Sequence, residues 1–136
     1  MKTEKPKVAF VCVHNSCRSQ MAEAISKIFA KDEFEAYSAG TEIKSEIDLT
    51  AVEVIKELYG VDMIKTQFPK ILSDIPTIDV LVTMGCNVNC PFLPCKHRED
   101  WGLEDPHGKG KDEYIKLAKT IEDKVLILKK EVLDLI

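Results

Sequence analysis

Seven residues near the start of the chain, Lys7 to Val13 (KVAFVCV), are rich in β-branched valine and nearly all apolar. A short apolar run without alternation fits a strand buried on both faces. The turn residues His14, Asn15 and Ser16 follow. Then Met21, Ala24, Ile25, Ile28 and Phe29 recur at helical spacing, with Glu23, Lys27 and Lys31 between them. Further on, Phe34 to Ala39 (FEAYSA) alternates and ends at Gly40, which predicts a second strand. Leu49, Val52, Ile55 and Leu58 predict a helix that Asp48 can cap and Gly60 can end. Asp79 to Met84 (DVLVTM) reads as another buried strand. Lys111 to Ile136 reads as one long amphipathic helix. Strands alternating with helices imply right-handed βαβ units in an α/β fold, a parallel sheet covered on both sides. The 136 residues suit a single domain, 1–136.

Composition narrows the function. The net charge is −4, which disfavours sequence-general binding to nucleic acid. No apolar run approaches the roughly 20 residues that span a bilayer, and no signal peptide is visible before Lys7. Neither a nucleic-acid nor a membrane partner is expected. Five cysteines is an odd number, so a disulfide framework is not expected and a reducing cytoplasm is. In that setting clustered cysteines point to catalysis, redox exchange or metal. Two lie at Cys12 and Cys17; Cys86, Cys90 and Cys95 lie in a connection from Gly85 to Gly110 that starts at the C-terminal edge of the sheet. Ligands bind at that edge in open parallel sheets.

Cys12-Val13-His14-Asn15-Ser16-Cys17-Arg18 has the form Cys-x5-Arg between a strand and a helix. Such a turn points successive N–H groups inward and forms an anion nest at a helix N-terminus. Arg18 can grip an oxyanion through two parallel hydrogen bonds, and Ser19 can donate its hydroxyl. His14, Asn15, Ser16 and Cys17 complete the candidate binding loop. The same field favours a thiolate at Cys12, a ready nucleophile toward a tetrahedral oxyanion. Asn15 is expected in the left-handed region. Only one sulfur fits under the nest, so Cys17 reads as a small packed residue. Trp101 reads as a packing anchor, and Lys96, His97 and Arg98 as a solvated basic face.

A thiolate displacing oxygen needs an acid to protonate the leaving group. Pro106 restricts Asp105 to an extended conformation that can aim its carboxyl. Glu104 is adjacent, and the residues alone do not choose between the two. Cys86, Cys90, Cys95 and His97 also form a conceivable zinc set, although the usual Cys-x2-Cys spacing is missing.

CVHNSCRSQMAEA, YSAG and WGLEDP resemble the low-molecular-weight protein tyrosine phosphatase superfamily. Within it, NSCRSQMAE and the Cys-Pro followed by HREDWGLEDP resemble the thioredoxin-coupled arsenate reductases most closely. The resemblance implies a four-stranded parallel sheet with helices on both faces. It implies Cys12 as nucleophile, Arg18 as oxyanion clamp and Asp105 as general acid. It also implies a thiol relay, with Cys86 as the second cysteine, Cys90 as the third and thioredoxin as reductant. Cys90-Pro91 matches the family pattern; Cys86 follows Val82-Thr83-Met84-Gly85, one residue later than usual, and Cys95 is an extra thiol that can take either place. His14 stands where a glycine is usual. Asn15 and Ser38 match the side-chain positions of some members' potassium site, but the acidic residue after Thr66 is replaced by Gln67 and Phe68.

The resulting expectation is a monomeric cytoplasmic arsenate reductase without a cofactor, at which phosphate or sulfate competes. The alternative is a low-molecular-weight phosphatase using the same Cys12, Arg18 and Asp105. Against it, His107, Gly108, Lys109 and Gly110 offer no aromatic ring to sandwich a phosphotyrosine. A third reading is a non-catalytic zinc or oxyanion sensor.

Overall fold

A computed structural model describes residues 5–42, 46–85 and 93–136. Four strands form one parallel sheet: β1 (Lys7–Cys12), β2 (Glu35–Gly40), β3 (Val80–Thr83) and β4 (His97–Asp100), in the order β2-β1-β3-β4. The helices are α1 (Arg18–Phe29), α2 (Leu49–Tyr59), the single turn α3 (Met63–Thr66) and α4 (Lys111–Glu131). No helix among the described residues is long and apolar enough to cross a membrane.

The central strands are buried on both sides. Val8, Phe10, Val80 and Val82 face the larger core, where α1, α2 and α4 pack. Ala9, Val11 and Leu81 face the other way, toward Ile78. That alternation is the two-residue period of a strand. The second face has lighter cover: the 3-10 turn Leu72–Asp74, Ile75, Leu93 and Cys95.

Local signals set the ends of α2. The Asp48 carboxylate accepts from the Thr50 and Ala51 N–H groups, and Gly60 closes the helix in the left-handed region at φ 73°. The C-terminal helix is shorter than its apolar pattern suggests. After Glu131 the chain tightens into a 3-10 turn over Val132–Leu135.

One expectation needs correction. The connection from Gly85 to Gly110 is not all loop, because His97-Arg98-Glu99-Asp100 forms β4. Four charged or polar residues hide its strand character, yet an edge strand with polar side chains is well protected against stray pairing. Trp101 follows it, buried, with its ring 5.4 Å from that of Phe10.

Chain order and strand order diverge around β1. The chain runs outward from β1 to β2, then returns to place β3 on the other side of β1. The C-terminal end of β1 is therefore a topological switch point, where open parallel sheets bind ligands. Cys12 is the last residue of β1.

Gly40, the last residue of β2, lets the loop after β1 lie against it. A Cβ there would sit 2.7 Å from the Val13 and Glu42 carbonyl oxygens and 2.9 Å from the Asn15 nitrogen. All three are backbone atoms, which cannot swing aside. Gly40→Ala should lower stability by about 1–3 kcal/mol, the usual cost of overpacking, read as an earlier midpoint in urea denaturation with an unchanged slope.

Candidate active site

The loop from Cys12 to Arg18 wraps a cavity of about 220 Å³, lined by Cys12, Val13, His14, Ser16, Cys17, Arg18 and Asp105. No side chain caps α1 at Cys17, so the positive end of that helix faces the cavity. Cys12, at 3% exposed, is buried at the cavity floor. Asn15 has φ 52°, as its residue type allows.

A chain of hydrogen bonds ends on the Cys12 sulfur. The Asn15 side-chain oxygen accepts from the Lys70 main-chain N–H at 2.8 Å and from Gln20 Nε2 at 3.0 Å. A main-chain N–H can only donate, so the amide orientation of Asn15 is fixed. Its Nδ2 must then donate to Ser19 Oγ, 2.8 Å away. Ser19 Oγ also lies 2.8 Å from Cys12 Sγ. Having accepted from Asn15, the Ser19 hydroxyl has its own proton to give to the sulfur.

Arg18 is also buried, and its Nη1 donates to the Leu103 carbonyl at 2.9 Å. The Gly85 carbonyl lies 3.5 Å from the same nitrogen. Arg18 thus touches the segment that carries the acid while lining the cavity. That segment lies along the end of β3. Trp101 N donates to Thr83 O and Leu103 N to Met84 O, both at 2.8 Å. Gly85, at φ 97°, is packed so closely that a Cβ would meet Gly102 Cα and Leu103 N at 2.8 Å.

The two carboxylates left open by the sequence separate here. Asp105 lines the cavity with Cys12, and its Oδ1 accepts the His107 N–H at 3.0 Å. Glu104 points elsewhere: its carboxylate meets Lys109 Nζ at 2.9 Å, and this hydrogen bond holds the carboxyl below its usual range. His14 is half-buried at the rim, with Nε2 3.1 Å from Glu42 Oε2. Ser16 is half-buried, and its carbonyl accepts from the Asp48 N–H at 2.7 Å. Cys17 packs inward, its sulfur 3.9 Å from Met21 Sδ. Cys86 and Cys90, the proposed relay pair, lie outside the described residues. Cys95 is half-buried against the second core face and carries a free thiol. Its neighbour in the conceivable zinc set, His97, has Nε2 2.9 Å from Glu99 Oε1. No group of three metal-capable side chains gathers among the described residues.

Sequence reasoning missed the supports behind the loop. Gln20 Nε2 also donates to the Asn15 and Phe68 carbonyls, and Gln67 Nε2 donates to Gln20 O and Oε1. Glu23 is buried, accepts from Ser38, and meets Lys27 and Lys70. Burial pulls the Lys70 ammonium down from its ordinary range, with Glu23 opposing. The signal was present in α1, where polar Ser19, Gln20 and Glu23 stand among apolar residues on a helix buried continuously from Arg18 to Ser26.

Residues 7–134 match the family described as low molecular weight phosphotyrosine protein phosphatase. Arsenate reductase 1 of Staphylococcus epidermidis is 36% identical over 123 residues, covering 88% of this chain and 92% of that protein. A solved structure described as an arsenate reductase in the phosphate binding state superposes with a TM-score of 0.82 at 32% identity, covering 93% of this chain and 98% of the other. The thioredoxin-dependent arsenate reductase Cg_ArsC1' of Corynebacterium glutamicum is 36% identical with a TM-score of 0.78, covering 97% of this chain and 64% of that one.

Burial pushes the Cys17 thiol far above its ordinary value of 9.0, with Asp48 and Asp105 adding to the shift and Arg18 opposing it. Between pH 9 and 10 the unfolded chain releases that proton while the folded chain keeps it. Stability should therefore fall with rising pH, by roughly 1 kcal/mol per pH unit from this group. Denaturation of wild type and Cys17→Ala across this window should show the steeper loss in wild type. Iodoacetamide at pH 8 should leave Cys17 unlabelled in the folded protein and label it in urea, as read by peptide mass spectrometry.

Proposed function

The chain belongs to the low-molecular-weight phosphotyrosine protein phosphatase family, and from that premise we propose that it reduces arsenate to arsenite in the cytoplasm with electrons from thioredoxin. One observation carries the reading: Cys12, Arg18 and Asp105 surround a single small cavity at the switch point of the sheet. The arsenate reductases among its relatives support the choice of substrate. The thioredoxin-dependent neighbour supports the choice of reductant.

The reaction begins as an oxyanion displacement. Arsenate sits in the loop, its oxygens facing the loop N–H groups and the Arg18 guanidinium. The Cys12 thiolate attacks arsenic, and Asp105 gives its proton to the departing oxygen, which leaves as water. A sulfur–arsenic bond now holds As(V) on Cys12. The Cys86 thiolate then attacks the Cys12 sulfur. A Cys12–Cys86 disulfide forms, the sulfur–arsenic bond breaks, and its electron pair stays on arsenic, which leaves as arsenite. Two thiols have supplied two electrons. Cys90 attacks Cys86, a Cys86–Cys90 disulfide forms, and Cys12 is released as a thiolate. Thioredoxin reduces the remaining disulfide.

Ser19 assists by donating to the Cys12 sulfur, both as nucleophile and as leaving group. His14, Asn15, Ser16 and Cys17 shape the cradle. Phosphate and sulfate share the tetrahedral shape and charge, and compete.

The test is arsenate-dependent consumption of reductant with thioredoxin and thioredoxin reductase. Cys12→Ser, Cys86→Ser and Cys90→Ser should each abolish turnover, and Cys95→Ser should retain it. Asp105→Asn should lower the rate by about 100-fold or more, the range for loss of a general acid. Wild-type turnover in Cys86→Ser overturns the relay. Hydrolysis of p-nitrophenyl phosphate, dependent on Cys12 alone and without arsenate turnover, would establish the phosphatase reading instead.

A further inference from the structure

Asp48 takes no part in the reaction proposed above, yet it joins four parts of the site. Its main-chain N–H donates to the Ser16 carbonyl of the oxyanion loop at 2.7 Å. Its Oδ1 accepts from Thr50 N at 2.9 Å and Ala51 N at 3.3 Å, at the start of α2. Its Oδ2 accepts from the Tyr114 hydroxyl at 2.7 Å, in the first turn of α4. The same oxygen lies 3.6 Å from His107 Nδ1, and the two form an ion pair when the imidazole is protonated. His107 in turn gives its main-chain N–H to Asp105 Oδ1 at 3.0 Å.

Capping accounts for only half of these contacts. A serine or asparagine would satisfy the first turn of α2 as well. The second carboxylate oxygen is directed away from α2, toward the two residues that flank the acid segment in space. The Asp48 side chain is 13% exposed, whereas that of His107 is 74% exposed, so the bond to Tyr114 is the better shielded of the two contacts. Tyr114 is buried, and burial and its hydrogen bond to Asp48 push its hydroxyl up, keeping it a donor. A hydroxyl donating to a carboxylate makes one of the stronger neutral-to-charged bonds. Asp105, by contrast, is exposed, on a segment with Gly102, Gly108 and Gly110 all at positive φ. Such a segment needs fastening from outside itself. Asp48, Ser16, His107, Tyr114 and Asp105 all line one larger cavity of about 960 Å³ beside the oxyanion loop.

We infer that Asp48 is a positioning residue that fastens the oxyanion loop to the acid segment, holding Asp105 above Cys12. This deepens the function proposed above and rests on Asp105 as its acid. Proton transfer requires heavy atoms within about 2.6–3.2 Å. An acid that is unfastened spends less time within that reach, and the rate falls by the same factor.

The experiment is a double-mutant cycle in the full chain. Asp48→Asn keeps the helix cap and the main-chain N–H, and removes the charge that faces Tyr114 and His107. Tyr114→Phe removes the hydroxyl alone. Each should lower kcat for arsenate by about tenfold or more, since a small misplacement of a catalytic group can cost up to about 100-fold, with the affinity for inorganic phosphate unchanged and Tm lowered only by the loss of one hydrogen bond to a charged group. In an Asp105→Asn background neither substitution should cost anything further, because the group it positions is already gone. Losses that multiply independently in that background, or phosphate affinity that falls in step with kcat, would overturn the inference. A second readout needs no turnover. Hydrogen exchange of the His107 amide, followed by NMR, should speed up about tenfold in Asp48→Asn as the local opening becomes easier; an unchanged rate overturns the inference. If wild type turns over no arsenate, the proposed function falls, and the exchange rate still decides the role of Asp48.

Discussion

Asn15 is the residue on which the site depends. A seven-residue turn wrapped around a cavity is not stable by itself, because it places one residue in the left-handed region and ends on an uncapped helix. Asn15 accepts that conformation at low cost. Its side chain then binds Lys70 and Gln20 on one side and Ser19 on the other, while its carbonyl takes Gln20. Asn15, Ser19 and Gln20 are buried, where an unmet polar group would cost about 1–3 kcal/mol. The loop therefore has one well-determined shape. The direction of the hydrogen bonds carries through to Cys12, so the residue that shapes the cradle also orients the proton beside the nucleophile. Gly40 completes the fit by leaving no side chain between β2 and the loop.

Much of this was legible because it obeys local rules. The buried strand before Cys12, the left-handed Asn15, the Asp48 cap and the Gly60 stop each follow from residue type and immediate neighbours. The choice of Asp105 over Glu104 was not local. It depends on where Lys109 draws Glu104 and on how Trp101 and Leu103 run along the end of β3. β4 escaped notice for a different reason. His97-Arg98-Glu99-Asp100 has the composition of a solvated face, and only its pairing with β3 makes it a strand. The braces behind Asn15 were hidden by distance along the chain: Lys70 is 55 residues away and Gln67 lies 47 beyond Gln20.

In the proposed reaction, Arg18 ties oxyanion binding to the placement of the acid. A buried guanidinium without partners would be costly, and it donates to the Leu103 carbonyl. Leu103 stands two residues before Asp105. The cation that would clamp an oxyanion is thus already fixed against the segment bearing the acid, and an arriving anion meets a cradle that has no large rearrangement to make. Preorganised donors of this kind contribute most to catalysis where water is excluded. A lysine offers one point charge in place of a planar fork and cannot serve both sides at once.

The geometry divides the proposed chemistry at a definite point. In that proposal the groups around Cys12 serve the displacement of oxygen from a tetrahedral oxyanion, a step common to ester hydrolysis and arsenate reduction. What separates the two reactions is the group that attacks next: water leaves the oxidation state of the central atom unchanged, whereas a second sulfur delivers electrons to it. Phosphorus(V) does not accept an electron pair from a thiol under these conditions, and arsenic(V) does, so the same cradle yields different products according to the nucleophile that follows. In this chain β3 ends at Thr83, and Gly85, with its carbonyl beside Arg18, is the residue immediately before Cys86. The polypeptide thus leaves the oxyanion clamp and passes directly into the stretch that holds three cysteines. In the proposed relay, a thiol of the same chain competes with water at the Cys12 adduct with the high effective concentration of an intramolecular reactant.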